Sequence, residues 1–222
     1  MTKAISVIAI DGPSASGKGT VAQLVANKLG FHYLDSGALY RIVAFATQQQ
    51  GIAWDDANAV TASAKNLVIE FVSDQVFLNH QEITNEIRTE AIGKGASQVA
   101  VHATLRTALA KMQHDFCKSP GLVADGRDMG TVIFPNAQLK IFLTASTETR
   151  AKRRHQQLLG KNQASNYDDI LQDLTERDAR DQGRASAPLI MADDAILLET
   201  DNLTISQAVD NVLYNYQQKI SK

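Results

Sequence analysis

The chain has 222 residues, 44% of them hydrophobic, and a formal net charge of −2. That length suits one elaborated domain or two small ones, and the balanced charge argues against a nucleic-acid polymer as partner. The single cysteine, Cys117, excludes an internal disulfide framework and a cysteine-based zinc site.

The first apolar run, Ile5–Ile10, is too short to span a membrane and no small-residue cleavage pattern follows it. It reads as a buried strand, in a soluble cytoplasmic protein with no membrane partner. Directly after it, Gly12-Pro13-Ser14-Ala15-Ser16-Gly17-Lys18-Gly19-Thr20 fits the pattern G-x-x-x-x-G-K. Gly12 and Gly17 permit backbone shapes that side chains would block. Backbone N–H groups can then point at phosphate oxygens, the helix N-terminus adds positive potential, and Lys18 adds a point charge. One departure stands out. The position after the lysine, usually Ser or Thr for Mg²⁺, is Gly19, and Thr20 follows. Thr20 then acts on magnesium through water or only supports the loop.

Val21, Leu24, Val25 and Leu29 mark a helix that Gly30 ends. Phe31–Leu34 reads as a second strand. Ala38, Leu39, Ile42, Val43 and Ala46 mark a second helix, with Arg41 off its apolar face. Trp54, just before Asp55-Asp56, reads as a packing residue at a helix start. Residues 64–103 break the alternation. Leu67–Val72, Val76–Asn79 and Glu82–Thr84 look like short strands, with turns at Ser73-Asp74 and Asn79-His80, and a helical run starts at Thr89. This is a small β-rich insert. The run Leu105–Lys118 reads as a helix that carries Cys117 as a small buried residue. Leu122–Asp125, Leu139–Leu143 and Ile196–Glu199 bring the strands for the main sheet to five. Ile205, Val209, Val212, Leu213 and Tyr216 mark a last helix. Strands alternating with helices argue for an α/β fold with a central, mainly parallel sheet.

Between residues 150 and 184 lie eight of the chain's 22 Lys and Arg. Arg150, Arg153 and Arg154 stand on one helix face, as do Arg177, Asp181 and Arg184. The polar stretch Gly160–Asn166, which includes Lys161, separates them. Helix, polar tip and helix is the pattern of a lid over a phosphoryl group; a solvated hairpin with ion pairs such as Arg177/Asp181 is the plain alternative. A regulatory GTPase would carry Asn-Lys-x-Asp; Asn27-Lys28-Leu29-Gly30 lacks the aspartate and lies inside a helix pattern. The five histidines, His32, His80, His102, His114 and His155, show no metal-ligand spacing.

Four segments together resemble a known family. They are Ile10-Asp11-Gly12 leading into Ser16-Gly17-Lys18-Gly19-Thr20, Leu34-Asp35-Ser36-Gly37-Ala38-Leu39-Tyr40-Arg41, Asp125-Gly126-Arg127-Asp128-Met129-Gly130-Thr131-Val132-Ile133-Phe134-Pro135, and Glu176-Arg177-Asp178 with Arg180-Asp181 and Arg184. They look like the bacterial-type cytidylate kinases, over about residues 5–190. The resemblance implies a P-loop three-layer fold with a central parallel five-stranded sheet. It implies a core of residues 1–63 and 104–222, a β-rich monophosphate-binding insert at 64–103 and an Arg-rich helical lid at 148–184. It implies transfer of the γ-phosphate of ATP to CMP or dCMP with Mg²⁺. The chain is expected to be a monomer.

By the same resemblance, Gly12 to Thr20 hold the ATP phosphates, with Lys18, Arg127, Arg177 and Arg184 as the catalytic cations. Arg41, Arg127 and Arg184 hold the acceptor phosphate, Arg177 and Asp181 the sugar, and Ser36, Ser97, Arg106 and Asp128 the base. Arg150, Arg153 and Arg154 fall on the donor side. Arginine suits phosphate because its planar fork grips two oxygens. Asp128 can accept from the cytosine amino group and Arg106 can donate to its acceptor edge, a pattern that uracil reverses. Asp125, ending an apolar strand, would serve magnesium through water, or else cap a neighbouring turn; Asp128 could instead pair with Arg127 in a surface turn. A kinase for UMP, AMP or another small acceptor, and a P-loop module without chemistry, are the competing readings.

Overall fold

A computed structural model describes residues 5–72, 75–160 and 164–221. Its centre is a five-stranded parallel sheet, β2-β6-β1-β7-β8. The strands are β1 (Ser6–Asp11), β2 (His32–Asp35), β6 (Gly121–Gly126), β7 (Leu139–Thr144) and β8 (Ile196–Glu199). The sequence expected these strands within one or two residues. In chain order, the segment that connects β2 to β6 contains a second, antiparallel sheet, β3 (Ile69–Val72), β4 (Gln75–Leu78) and β5 (Gln81–Glu82). The Ser73-Asp74 turn and the Lys161 part of the polar tip lie outside the described residues.

The chain forms two compact units, Met1–Leu34 with His114–Lys222, and Asp35–Gln113. In the first, β1 is flanked by β6 and β7, so it is buried on both edges and both faces, and Ile8, Ala9 and Ile10 are fully buried. Helices α1 (Lys18–Leu29) and α8 (Ile205–Ile220) pack against each other and on the sheet through Val21, Val25, Val209 and Val212. Each such buried side chain contributes about 1.5–3 kcal/mol. Gly30 ends α1 with a φ of 66°, a shape glycine adopts without strain. Ile205, expected in the apolar stripe of α8, is instead exposed beside the Thr204 cap.

The register places the future site. Asp11 at the end of β1 lies opposite Gly126 at the end of β6, so the segments leaving both strands emerge side by side at the carboxyl edge of the sheet. From there β7 leads into α6 (Thr147–Leu159), which pairs with α7 (Tyr167–Gly183). Ser146 and Asn166 cap these helices with their side chains.

In the second unit, α2 (Ser36–Gln49) packs against α3 (Ala57–Ala64) and α4 (Glu90–Val99), and α5 (Ala103–His114) closes the unit. Trp54 packs as expected: its Nε1 donates to Ala44 O at 3.0 Å, and its ring lies where a Cβ on Gly95 would be, 2.5 Å away. The helix expected to run to Lys118 stops at His114. Cys117 therefore sits in the following turn, half-buried, and burial pushes its thiol pKa up.

Candidate functional site

The P-loop follows β1 directly. Gly12 is required by contact: a Cβ there would lie 2.0 Å from the Leu143 carbonyl oxygen of β7. Ala15 and Gly17 then adopt φ of 58° and 90°, which curls the backbone into the concave form that holds anions. Inside that curl Ser16 Oγ is buried and makes no hydrogen bond. A buried hydroxyl of this kind is matched by an acceptor-rich ligand such as a phosphate. Lys18 opens α1, is 8% exposed, and folds back so that Nζ donates to Pro13 O at 3.1 Å. The loop thus fits the phosphates of a nucleotide.

Beside it, the Tyr33 hydroxyl donates to Asp125 Oδ1 at 2.6 Å. Gly19 faces this pair: a Cβ there would be 3.5 Å from the Tyr33 oxygen and 3.9 Å from both Asp125 oxygens. Thr20 is exposed. Among the described residues no group of three His, Cys, Asp or Glu could hold a metal by itself. A single carboxylate near the phosphate loop matches how Mg²⁺ binds with nucleotides, retaining most of its waters and phosphate ligands.

Ser14 is the meeting point of two arginines. Arg127 Nη2 donates to Ser14 Oγ at 2.8 Å, and its Nε to Asp181 Oδ2 at 2.7 Å. Arg150 Nη1 donates to Ser14 O at 3.0 Å, and its Nη2 to Asp178 Oδ2 at 2.6 Å. Asp178 and Asp181 stand one turn apart on α7, so one helix face holds both guanidinium groups on one P-loop residue. Burial alone would raise the Asp181 pKa. Arg127 and Arg184 beside it, with Arg177 further off, more than offset this and hold it below the usual carboxylate value. Burial likewise works against the charge of Arg127, and Asp181 overrides it. Arg184 Nη1 is 3.8 Å from Asp181 Oδ1. Arg127, Arg177 and Arg184 thus gather around one carboxylate, with Asp125 and Asp178 also acting on Arg127; clustered arginines of this kind suit an anion.

The arginines of α6 go three ways. Arg150, also bonded to Ala145 O and Thr147 Oγ1, is 3% exposed and fully engaged within the fold. Arg153 reaches Thr200 Oγ1 at 3.1 Å, and Arg154 reaches Gln157 Oε1 at 2.6 Å. Asp128 is buried, 3% exposed, rather than in a surface turn.

In the unit Asp35–Gln113, Arg41 Nη1 donates to Ile87 O at 2.8 Å and Thr89 O at 3.2 Å. Gly93 makes room for it, since a Cβ there would be 3.0 Å from Arg41 Nη2. Arg106 is 7% exposed, donates to Ala100 O at 3.2 Å, and lies 5.5 Å over the Tyr40 ring. Ser36 Oγ donates to Gln113 Oε1 at 2.8 Å. Gln113 Nε2 and Ser97 Oγ are buried without a hydrogen bond. Such atoms cost free energy unless a polar ligand meets them.

Sequence reasoning missed Asp11, Tyr33 and Gln113. Tyr33 and Gln113 sit next to residues it chose, but across the chain, at separations of 92 and 77 residues. No local pattern reports such pairs.

A family model described as cytidylate kinase matches residues 8–218. A cytidylate kinase of Chromobacterium violaceum is 55% identical over 215 residues, 97% of each chain. One from Polynucleobacter asymbioticus is 56% identical over 218 residues, covering 98% of this chain and 99% of the relative. In the crystal structure of a Thermus thermophilus protein the same fold recurs at 17% identity, with a TM-score of 0.50 over 98% of both chains.

Proposed function

The chain belongs to the cytidylate kinase family, and from that premise we propose that it transfers the γ-phosphate of ATP to CMP or dCMP, releasing ADP and CDP or dCDP. The observation that carries the reading is the curled loop Gly12–Thr20, with its buried, unbonded Ser16 hydroxyl and the Lys18 ammonium at the head of α1. An oxygen of the acceptor phosphate attacks the γ-phosphorus, and the bond from that phosphorus to the β,γ-bridging oxygen breaks. The acceptor monoester is already largely ionised near neutral pH, so no general base is needed; alignment and charge relief do the work.

The backbone of Gly12, Pro13, Ser14, Ala15, Ser16, Gly17 and Gly19 holds the donor phosphates, and Lys18 neutralises charge that builds up on them. Mg²⁺ bound with ATP would supply further charge neutralisation, and Asp125, with Thr20 of the phosphate loop, would hold it through water. Arg127, Arg177, Arg184 and Asp181 serve the acceptor phosphate and sugar. Their support is the gathering of three arginines around Asp181. Asp128 accepts from the cytosine amino group. In the other unit, Arg41 is assigned to phosphate and Ser36, Ser97 and Arg106 to the base; the unbonded Ser97 Oγ supports that role. Residues 64–103 form the acceptor insert and residues 148–184 the lid, where Arg150 ties the lid to the P-loop. The enzyme works as a cytoplasmic monomer with no nucleic-acid or membrane partner; among the described residues no helix is long and apolar enough to cross a membrane.

The test is Mg²⁺-dependent ADP production from ATP with CMP, dCMP, UMP, AMP and GMP offered separately. Fast turnover with CMP and dCMP alone is the expected result. Preference for another acceptor would overturn the roles of Asp128 and Arg106; no acceptor-dependent turnover would overturn the kinase.

A further inference from the structure

Asp11 ends β1 and immediately precedes the first glycine of the P-loop. Its carboxylate is 6% exposed. Oδ1 accepts the Met129 N–H and Oδ2 the Gly130 N–H, each at 2.8 Å. The backbone of the same residue lies opposite Gly126 in the β1–β6 ladder. The chain therefore leaves Asp11 at Gly126 and returns to it at Met129. Only Arg127 and Asp128 lie between the two fixed points.

Met129–Ile133 forms a wide helical turn whose first two N–H groups are those held by Asp11. The packing there is tight. A Cβ on Gly130 would lie 3.1 Å from Lys140 Cδ and 3.4 Å from Asp11 Oδ2. Lys140 is itself fixed by Asp194 at 2.8 Å.

We propose that Asp11 is a positioning residue for acceptor binding, fixing Arg127 and Asp128 against the P-loop without touching substrate. This rests on the reading of Arg127 and Asp128 as acceptor residues. The chemistry demands a carboxylate. Two adjacent N–H donors need two acceptor atoms that carry no hydrogen, which ionised Asp supplies. Asn keeps one bond and turns an NH₂ group against the other N–H. The choice is also costly. Burial pushes the Asp11 pKa up to about 6, the Gly130 and Met129 N–H groups offset part of this, Asp128 adds to it and Lys18 subtracts. A buried charge near a like charge is an expensive way to close a turn. It is understandable where loop placement is decisive.

The test measures Asp11→Asn with ATP and CMP varied separately, alongside its melting temperature and the ratio of CMP to UMP turnover. The KM for CMP is expected to rise ~10-fold, as for loss of one well-placed hydrogen bond at a site, and the CMP preference to fall. The KM for ATP should stay within about twofold. A role in folding alone would lower the melting temperature and leave both KM values and the CMP preference unchanged, which overturns the proposal. Gly130→Ala keeps both acceptors and presses the loop against Lys140 and the Asp11 carboxylate, so it serves even if Asp11→Asn does not fold. It should raise the KM for CMP a few-fold (roughly threefold), and an unchanged value there also overturns the proposal. Asp128→Asn is run in parallel. If it weakens CMP use and Asp11→Asn does not, the positioning role alone fails. If Asp128→Asn leaves CMP use unchanged, the acceptor reading fails, and the positioning role with it.

Discussion

The two compact units hold their arginines in different ways. In the unit of Met1–Leu34 and His114–Lys222, Arg127 and Arg150 rest on the carboxylates of Asp181 and Asp178. In the unit Asp35–Gln113, Arg41 and Arg106 have backbone carbonyls as hydrogen-bond acceptors, at Ile87, Thr89 and Ala100. A carboxylate fixes a guanidinium firmly but neutralises it, so a phosphate must compete for it. A carbonyl orients the group without itself cancelling the charge. The carboxylate contacts fix position at the expense of charge; the carbonyl contacts fix position alone.

Lys18 is the exception that sharpens this contrast. It lies in the first unit, yet Nζ rests on a carbonyl, Pro13 O. As the lysine of the phosphate loop it should deliver charge to the reaction, and Lys18→Ala should give the largest effect, a fall in kcat of about 10³ at saturating ATP and CMP. Circular dichroism should show an unchanged fold. Near-normal kcat would mean that the carbonyl contact, and not the phosphate, is what the lysine serves.

Asp181→Asn probes the carboxylate-held side. It leaves Arg127, 20% exposed, without its hydrogen-bonded carboxylate. Urea unfolding should show a loss of about 2 kcal/mol at pH 7, less than for a fully buried pair because part of the guanidinium remains in water. The pH dependence gives the sign. The folded-state pKa of Asp181 is below 3.8, so its stabilisation is present above pH 3.8 and is lost as pH falls through the lower folded value. The variant should therefore lose less stability than the parent on acidification from about pH 3.8 down through that value. Asp11 works in the opposite direction: the fold keeps its proton up to about 6 against 3.8 when unfolded, so its contribution declines as pH rises across that window. Equal acid sensitivity of parent and Asp181→Asn would break the contrast.

The smallest effect belongs to the carbonyl-held side. Gly93→Ala puts a methyl 3.0 Å from Arg41 Nη2, and the flexible end of the side chain can yield. The KM for CMP should rise only about threefold, under 1 kcal/mol, with stability near that of the parent. An unchanged KM would detach Arg41 from acceptor binding.

Much of this architecture was legible in the sequence because its signals are local. The apolar runs at Ile5–Ile10 and Leu139–Leu143 and the stop at Gly30 each depend on neighbours within a few residues. The P-loop is equally local, since its curl is set by Gly12, Ala15 and Gly17. The helix boundary at His114 and the exposure of Ile205 were misread because both depend on what packs against the segment. Arg150, Arg153 and Arg154 share a helical spacing, but their partners lie elsewhere in the chain, on Ser14, Thr200 and Gln157.

By itself the sequence determined the parallel α/β sheet, the phosphate loop and the resemblance to its family. It also determined which charged residues were available for a site. Only the tertiary structure decided how they are used: that Asp178 and Asp181 bring two arginines onto Ser14, that Tyr33 holds Asp125, and that Asp11 grips residues 118 and 119 positions away. The reason is physical. Periodicity and turn chemistry act along the chain. The pairing of a buried charge is decided by whatever the packed sheet brings within about 3 Å of it, and no spacing in the sequence encodes that.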